Sequence, residues 1–173
     1  ALRDVTATVR SIPLIASSIM SKKLASGSDA IILDVKTGTG AFMRTKEEAF
    51  ALARLMCNIG KLAGREVRAV VTDMNQPLGL AVGNALEVQE AVELLSGGIV
   101  ETDPLYEVCM LLGAQMLQMG KLAENEEEAR AMLKKHIEDG EGLKRLQKMF
   151  RLLGGEPSYV TLAGMEKLVT VKR

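Results

Sequence analysis

The sequence predicts an α/β fold. Two stretches carry the strand signal, "AIILDV" from Ala30 and "REVRAVVTDM" from Arg65. Both are short, rich in apolar and β-branched residues, and bounded by glycine or polar turn residues, as buried strands are. Between them the apolar residues Phe50, Leu52, Ala53, Met56, Ile59 and Leu62 recur at roughly helical spacing. Strand alternating with helix is the pattern of an α/β domain.

The elements follow in order. Ser11 ahead of Pro13 marks a helix start, because proline suits the first turn, where its missing N–H leaves nothing unsatisfied. This helix is expected to reach about Ala25 and stop in "SGSD". The first strand then runs into the turn "KTGTG". Thr45 opens the next helix, with Glu48 three residues on as a capping box requires. Gly64 closes it. The second strand leads into a loop, "NQPLGLAVGN", and a helix, "ALEVQEAVELL", that ends at Gly97-Gly98. Asp103-Pro104 starts a helix to about Leu122, with Leu105, Val108, Leu112, Met116 and Met119 on one face. Asn125 with Glu128 starts another, to about Glu138. A third spans Gly140 to Leu153 and stops at Gly154-Gly155. "SYVTL" and "LVTV" are short strands or tail.

The chain has 173 residues, enough for an ordinary domain with its own core. It is 47% apolar and 25% charged with zero formal net charge, and it has no basic stripe. That excludes the electrostatic footprint of a nucleic-acid binder. No apolar run is long enough to span a membrane, and no secretory leader pattern occurs. Cys57 and Cys109 lie in helical patterns. Their spacing fits no zinc site, and both are expected to be reduced and buried. His136 lies among charged residues and reads as a surface side chain. Two strands are too few for a stable sheet by themselves, and the chain opens on Ala-Leu-Arg. A piece of a longer or processed protein is therefore expected.

Ile15, Ser18 and Lys22 share one helix face. An apolar wall, a hydroxyl and an ammonium suit a flat polar heterocycle, with Arg3 as a second cationic donor. The same spacing describes a partly exposed helix with an ordinary Ser and Lys, and spacing alone does not separate the two.

The stretch "ALRDVTATVRSIPLIASSIMSKKLASGSDAIILDVKTGTGAFM", continued in "TDMNQPLGLAVGNALEVQEAV", resembles the family of pyrimidine-nucleoside and thymidine phosphorylases. In "DVKTG" and "DMNQPLG" it is more similar to the bacterial broad-specificity members. The resemblance implies part of a nucleoside phosphorylase/phosphoribosyltransferase catalytic domain, a mixed sheet flanked by helices. It makes residues 1–26 the last helix of a small, base-binding α domain and residues 27–173 part of a large α/β domain.

The activity it implies is phosphorolysis of uridine, thymidine or deoxyuridine to the free base and (deoxy)ribose 1-phosphate, in pyrimidine salvage. Arg3 and Lys22 match the catalytic donors to the base carbonyls, and Ser18 matches a contact near ring N3. Ile15 and Phe42 match the apolar residues beside the base; read without the family, Phe42 is simply core. Leu78, Ala81 and Glu90 match the ligands of a potassium ion, through two backbone carbonyls and a carboxylate; without the family they read as a turn and a solvated helix. No organic cofactor is implied. The implied partners are pyrimidine nucleoside, inorganic phosphate and a second copy in a homodimer, without nucleic acid or membrane. The implied location is cytoplasmic.

The family's phosphate segment, Lys-His-Ser before a glycine-rich turn, does not occur in these residues, and "KTGTG" is not a P-loop. Two alternatives therefore stand beside the enzyme. One is a non-catalytic truncated relative that binds a pyrimidine or a partner chain. The other is an anthranilate phosphoribosyltransferase-like relative.

Overall fold

The computed structural model describes residues 2–162, with side chains from Asp4 onward. It falls into two compact units. One comprises residues 1–77 and 114–124, the other residues 78–113 and 125–173.

In the first unit, α1 (Leu2–Val5) is a single turn, which the sequence did not signal. Helix α2 (Ile12–Ala25) starts after Ser11 with proline in its first turn and stops before Gly27. Strand β1 (Ala30–Thr37), helix α3 (Lys46–Leu62) and strand β2 (Glu66–Asp73) follow. The capping box is present: Thr45 Oγ1 accepts from the Glu48 N–H, and the Glu48 carboxylate accepts from the Thr45 N–H. The strands pair in parallel, Ala30 opposite Glu66 through Thr37 opposite Asp73. Parallel neighbours need a long connection, and α3 supplies it.

Alternation along β1 decides the layers. Ile31, Leu33 and Val35 are buried and join Ile15, Ala16 and Met20 of α2 and Ala49, Leu52, Ala53 and Met56 of α3 in one core. Val67, Ala69 and Val71 of β2 pack against it. The opposite face carries Ile32, Asp34 and Lys36, with Arg68 and Thr72 across from Ile32 and Lys36. There Arg68 donates to Gln115 Oε1 at 3.0 Å.

The second unit contains α4 (Asn84–Leu95), most of α5 (Pro104–Met119), α6 (Glu126–Glu138), α7 (Glu141–Leu152) and a 3-10 turn, Pro157–Tyr159. Its core joins Val92 and Val160 to Leu143, Leu146 and Phe150. Asn125 caps α6 by accepting from the Glu128 N–H at 2.9 Å.

Four expectations are corrected. "SYVTL" is no strand: Pro157 sets a 3-10 turn, and the Val160 side chain goes into a helical core. Cys109 is exposed rather than buried, while Cys57 is half-buried. Burial pushes the Cys57 thiol up, which keeps it protonated. Met116 is exposed, as are Phe50 and Leu62 of α3, because each lies at the rim of its apolar face. Helix α5 ends at Met119, before a left-handed Lys121, instead of reaching Leu122. His136 is exposed, as expected, 3.8 Å from Asp139. "LVTV" lies outside the described residues.

Candidate functional site

The carboxyl ends of β1 and β2 meet at a tightly bonded turn. Gly38 N donates to the Met43 carbonyl at 3.0 Å, Gly40 N to the Met74 carbonyl at 2.8 Å, and Met74 N to the Thr37 carbonyl at 2.7 Å. Thr39 N donates to Asn75 Oδ1 at 3.1 Å. Gly38 has φ +124°, and a Cβ there would stand 2.7 Å from Asn75 Oδ1. Only glycine lets "KTGTG" lie on "DMN" in this way. The turn is thus a fixed rim after the strands, where ligands of open α/β sheets bind.

Beside that rim is an apolar cavity of about 310 Å³. Ile15 and Ile19 of α2, Val35 of β1, Phe42 and Met43 of the turn, and Met74 form much of its lining. Ile15 is buried, whereas Phe42 is 64% exposed and therefore no core residue. These two sequence-predicted residues, 27 positions apart by number, share one cavity. Ser18 and Lys22 continue the helix face of Ile15 but do not line the cavity: Ser18 is half-buried and Lys22 is exposed. The Arg3 side chain lies outside the described residues.

Asp34 and Lys36 also border this cavity, but alternation along β1 puts their side chains on the strand face opposite Val35. Lys36 Nζ lies 2.7 Å from Asp34 Oδ2 and donates to Thr72 Oγ1 at 2.9 Å. Thr72 Oγ1 in turn donates to Asp34 Oδ1. A signal for this ring existed in the sequence. Two charges two residues apart at the end of an apolar strand must lie on one face.

The predicted cation ligands lie in the second unit. Glu90 of α4 reaches back to the loop before its helix, and its Oε1 accepts from Leu80 N at 2.7 Å and Ala81 N at 3.2 Å. Oε2 has no hydrogen-bond donor among the described residues. A Cβ on Gly79 would stand 1.9 Å from it, so a side chain at residue 79 would push the Glu90 carboxylate out of this position. Leu78 opens this loop. Two backbone carbonyls and a carboxylate form an all-oxygen set, which suits a hard cation. Among the described residues, no cluster of three or more His, Cys, Asp or Glu side chains could hold a metal. No helix there is long and apolar enough to cross a membrane.

Residues 1–143 match the family model described as "Glycosyl transferase family, a/b domain". The chain is 53% identical over 160 residues to the pyrimidine-nucleoside phosphorylase of Bacillus subtilis (strain 168). It is 53% identical over the same length to those of Geobacillus stearothermophilus and Staphylococcus aureus (strain USA300). Each comparison covers 92% of this chain and 36% of the relative. The chain thus spans about a third of the length of the curated relatives it matches.

Proposed function

Because this chain belongs to the glycosyl transferase family and carries its a/b domain, we propose that it takes part in the phosphorolysis of pyrimidine nucleosides. The products are free base and (deoxy)ribose 1-phosphate. One structural observation supports this reading above the rest. Ile15 and Phe42, matched to base-flanking residues, line one apolar cavity at the carboxyl ends of two parallel strands.

The chemistry sets what the residues must do. Phosphate oxygen attacks the anomeric carbon while the bond from that carbon to the base nitrogen breaks. The sugar gains oxocarbenium character, and the base leaves with the electron pair as an anion before taking up a proton. Arg3 and Lys22 act as donors to the base carbonyls, where that negative charge develops. Ser18 meets the ring near N3. Ile15 and Phe42 hold the ring between apolar surfaces and keep water from it, which strengthens those donors. Phosphate has to be held in line with the anomeric carbon, on the side away from the base, by residues other than these.

Potassium would be held by the Leu78 and Ala81 carbonyls and Glu90. It would supply fixed positive charge that orders the loop ahead of α4. A homodimer in the cytoplasm belongs to the same reading.

The test is an assay of the full-length protein with uridine, with and without inorganic phosphate. Uracil and ribose 1-phosphate should appear in equal amounts and only with phosphate. Uracil release that needs no phosphate, or no release at all, would overturn the proposal.

A further inference from the structure

Phe42 lines the cavity but is 64% exposed, so packing alone does not fix its ring. The backbone of the turn from Gly38 to Met43 has to do so. The far end of that turn is tied to β1: Gly38 N donates to the Met43 carbonyl at 3.0 Å, and Met43 bridges to Thr37. The near end is tied to the residues just after β2, and Asn75 makes most of that tie. Its Oδ1 accepts from Thr39 N at 3.1 Å, and its backbone carbonyl accepts from Thr39 Oγ1 at 3.2 Å.

The Asn75 amide can hold Thr39 in one orientation only. An amide carries an acceptor oxygen and a donor nitrogen, and only the oxygen can meet an N–H. Asp73 decides which way it points. Asp73 Oδ1 accepts from Asn75 Nδ2, and Asp73 Oδ2 accepts from Asn75 N at 3.2 Å. A carboxylate takes the NH2 group and turns the amide oxygen toward Thr39. That oxygen fills the place a side chain on residue 38 would need, 2.7 Å from a Cβ there. Asp73 lies opposite Thr37 in the strand register, so the anchor and the start of the turn are level at the end of the sheet. Asp73 and Asn75 are both exposed, and neither belongs to the core. The arrangement buries little; what it sets is the path of the chain toward Phe42.

On the reading of the cavity as a pyrimidine-nucleoside site, we infer that Asn75 is a positioning residue for that site. Clamped by Asp73, it holds the turn so that Phe42 stands beside the base.

The test is steady-state kinetics of the full-length protein with uridine and phosphate, for Asn75→Ala, Phe42→Ala and the double variant. An aromatic ring beside a base holds ground state and transition state alike, so its loss raises KM and spares kcat. Phe42→Ala should raise the KM for uridine about tenfold, the worth of one base–aromatic contact. Asn75→Ala should raise it roughly three- to tenfold, as for one or two net hydrogen bonds. The KM for phosphate should not move. In the Phe42→Ala background, Asn75→Ala should add nothing, because it acts through the ring. Thr39→Val loses one of the two contacts to Asn75 and should raise the KM for uridine by a smaller factor. An unchanged KM for uridine in Asn75→Ala or Thr39→Val overturns the inference. So does a loss confined to kcat, or an Asn75→Ala effect that persists in full without Phe42. A Phe42→Ala protein with the wild-type KM for uridine overturns the nucleoside reading of the cavity itself. A raised KM in Phe42→Ala beside a wild-type KM in Asn75→Ala leaves that reading standing and removes Asn75 alone.

Discussion

The unit made of residues 1–77 and 114–124 has a layered core running from Ile15 and Met20 through Leu33 and Val35 to Leu52 and Met56. The unit made of residues 78–113 and 125–173 differs. Among the described residues it has a small core around Val92 and Val160, together with helix caps and ion pairs. Arg130 there holds Glu107 at 2.7 Å and Glu126 at 2.8 Å. A strand pair has no stability apart from the layer that covers it, so its unit needs deep apolar burial. Short capped helices carry more of their signal locally, so the second unit manages with less.

Core truncation should show that contrast most strongly. Met56 is 2% exposed. Met56→Ala should cost about 2–5 kcal/mol, from lost transfer energy plus a cavity. Val92 is fully buried in a smaller cluster, and Val92→Ala should cost about 2 kcal/mol. Denaturant unfolding measures both, and amide exchange locates them: Met56→Ala should expose β1 and α3, and Val92→Ala should expose α4 and α7. Equal costs would erase the comparison.

An effect of about 1 kcal/mol is expected at pH 7 for Arg130→Ala, since more than half of the Glu107 side chain is exposed and the pair is screened. Hydrogen bonds from Arg130 hold the Glu107 carboxyl below the usual carboxylate range. A depressed folded value adds stability above the unfolded pKa and loses it as pH falls through the folded one. The gap between wild type and variant should therefore close below about pH 4. A gap that persists at pH 3 would mean that Arg130 acts by packing.

The smallest stability change belongs to Glu90→Ala. Leu80 is 93% exposed, so water can replace the lost acceptor. A shift of a few tenths of a kcal/mol is expected, as for an exposed substitution. On the proposed potassium site, turnover by Glu90→Ala should respond much less to potassium than turnover by the wild type, read against a large organic cation. An unchanged potassium response would take Glu90 out of the cation site.

The same contrast governs what the sequence disclosed. The boundaries of α2, β1, α3 and α6 were legible because Pro13, Thr45 with Glu48, and Asn125 with Glu128 act within a few residues of themselves. "SYVTL" misled, because alternation over five residues is also met by a turn that sends Val160 inward. Cys109, Met116 and Leu62 misled because helical spacing gives a face but not its rim. The pairing of Ile15 with Phe42 came from the family resemblance. The Asp34–Lys36–Thr72 ring was missed because Thr72 enters it only through strand register across 36 positions.

We propose that pyrimidine binds on the α2 face and in the cavity beside it, and Lys22 tests that most directly. The measurement is kcat for uridine phosphorolysis by Lys22→Ala, with the thermal midpoint recorded beside it. Lys22 is exposed and belongs to no core cluster, so the midpoint should not move. Turnover should fall by about a hundredfold or more, the usual cost of one donor to a developing anion. Turnover near that of the wild type, at an unchanged midpoint, would contradict the account.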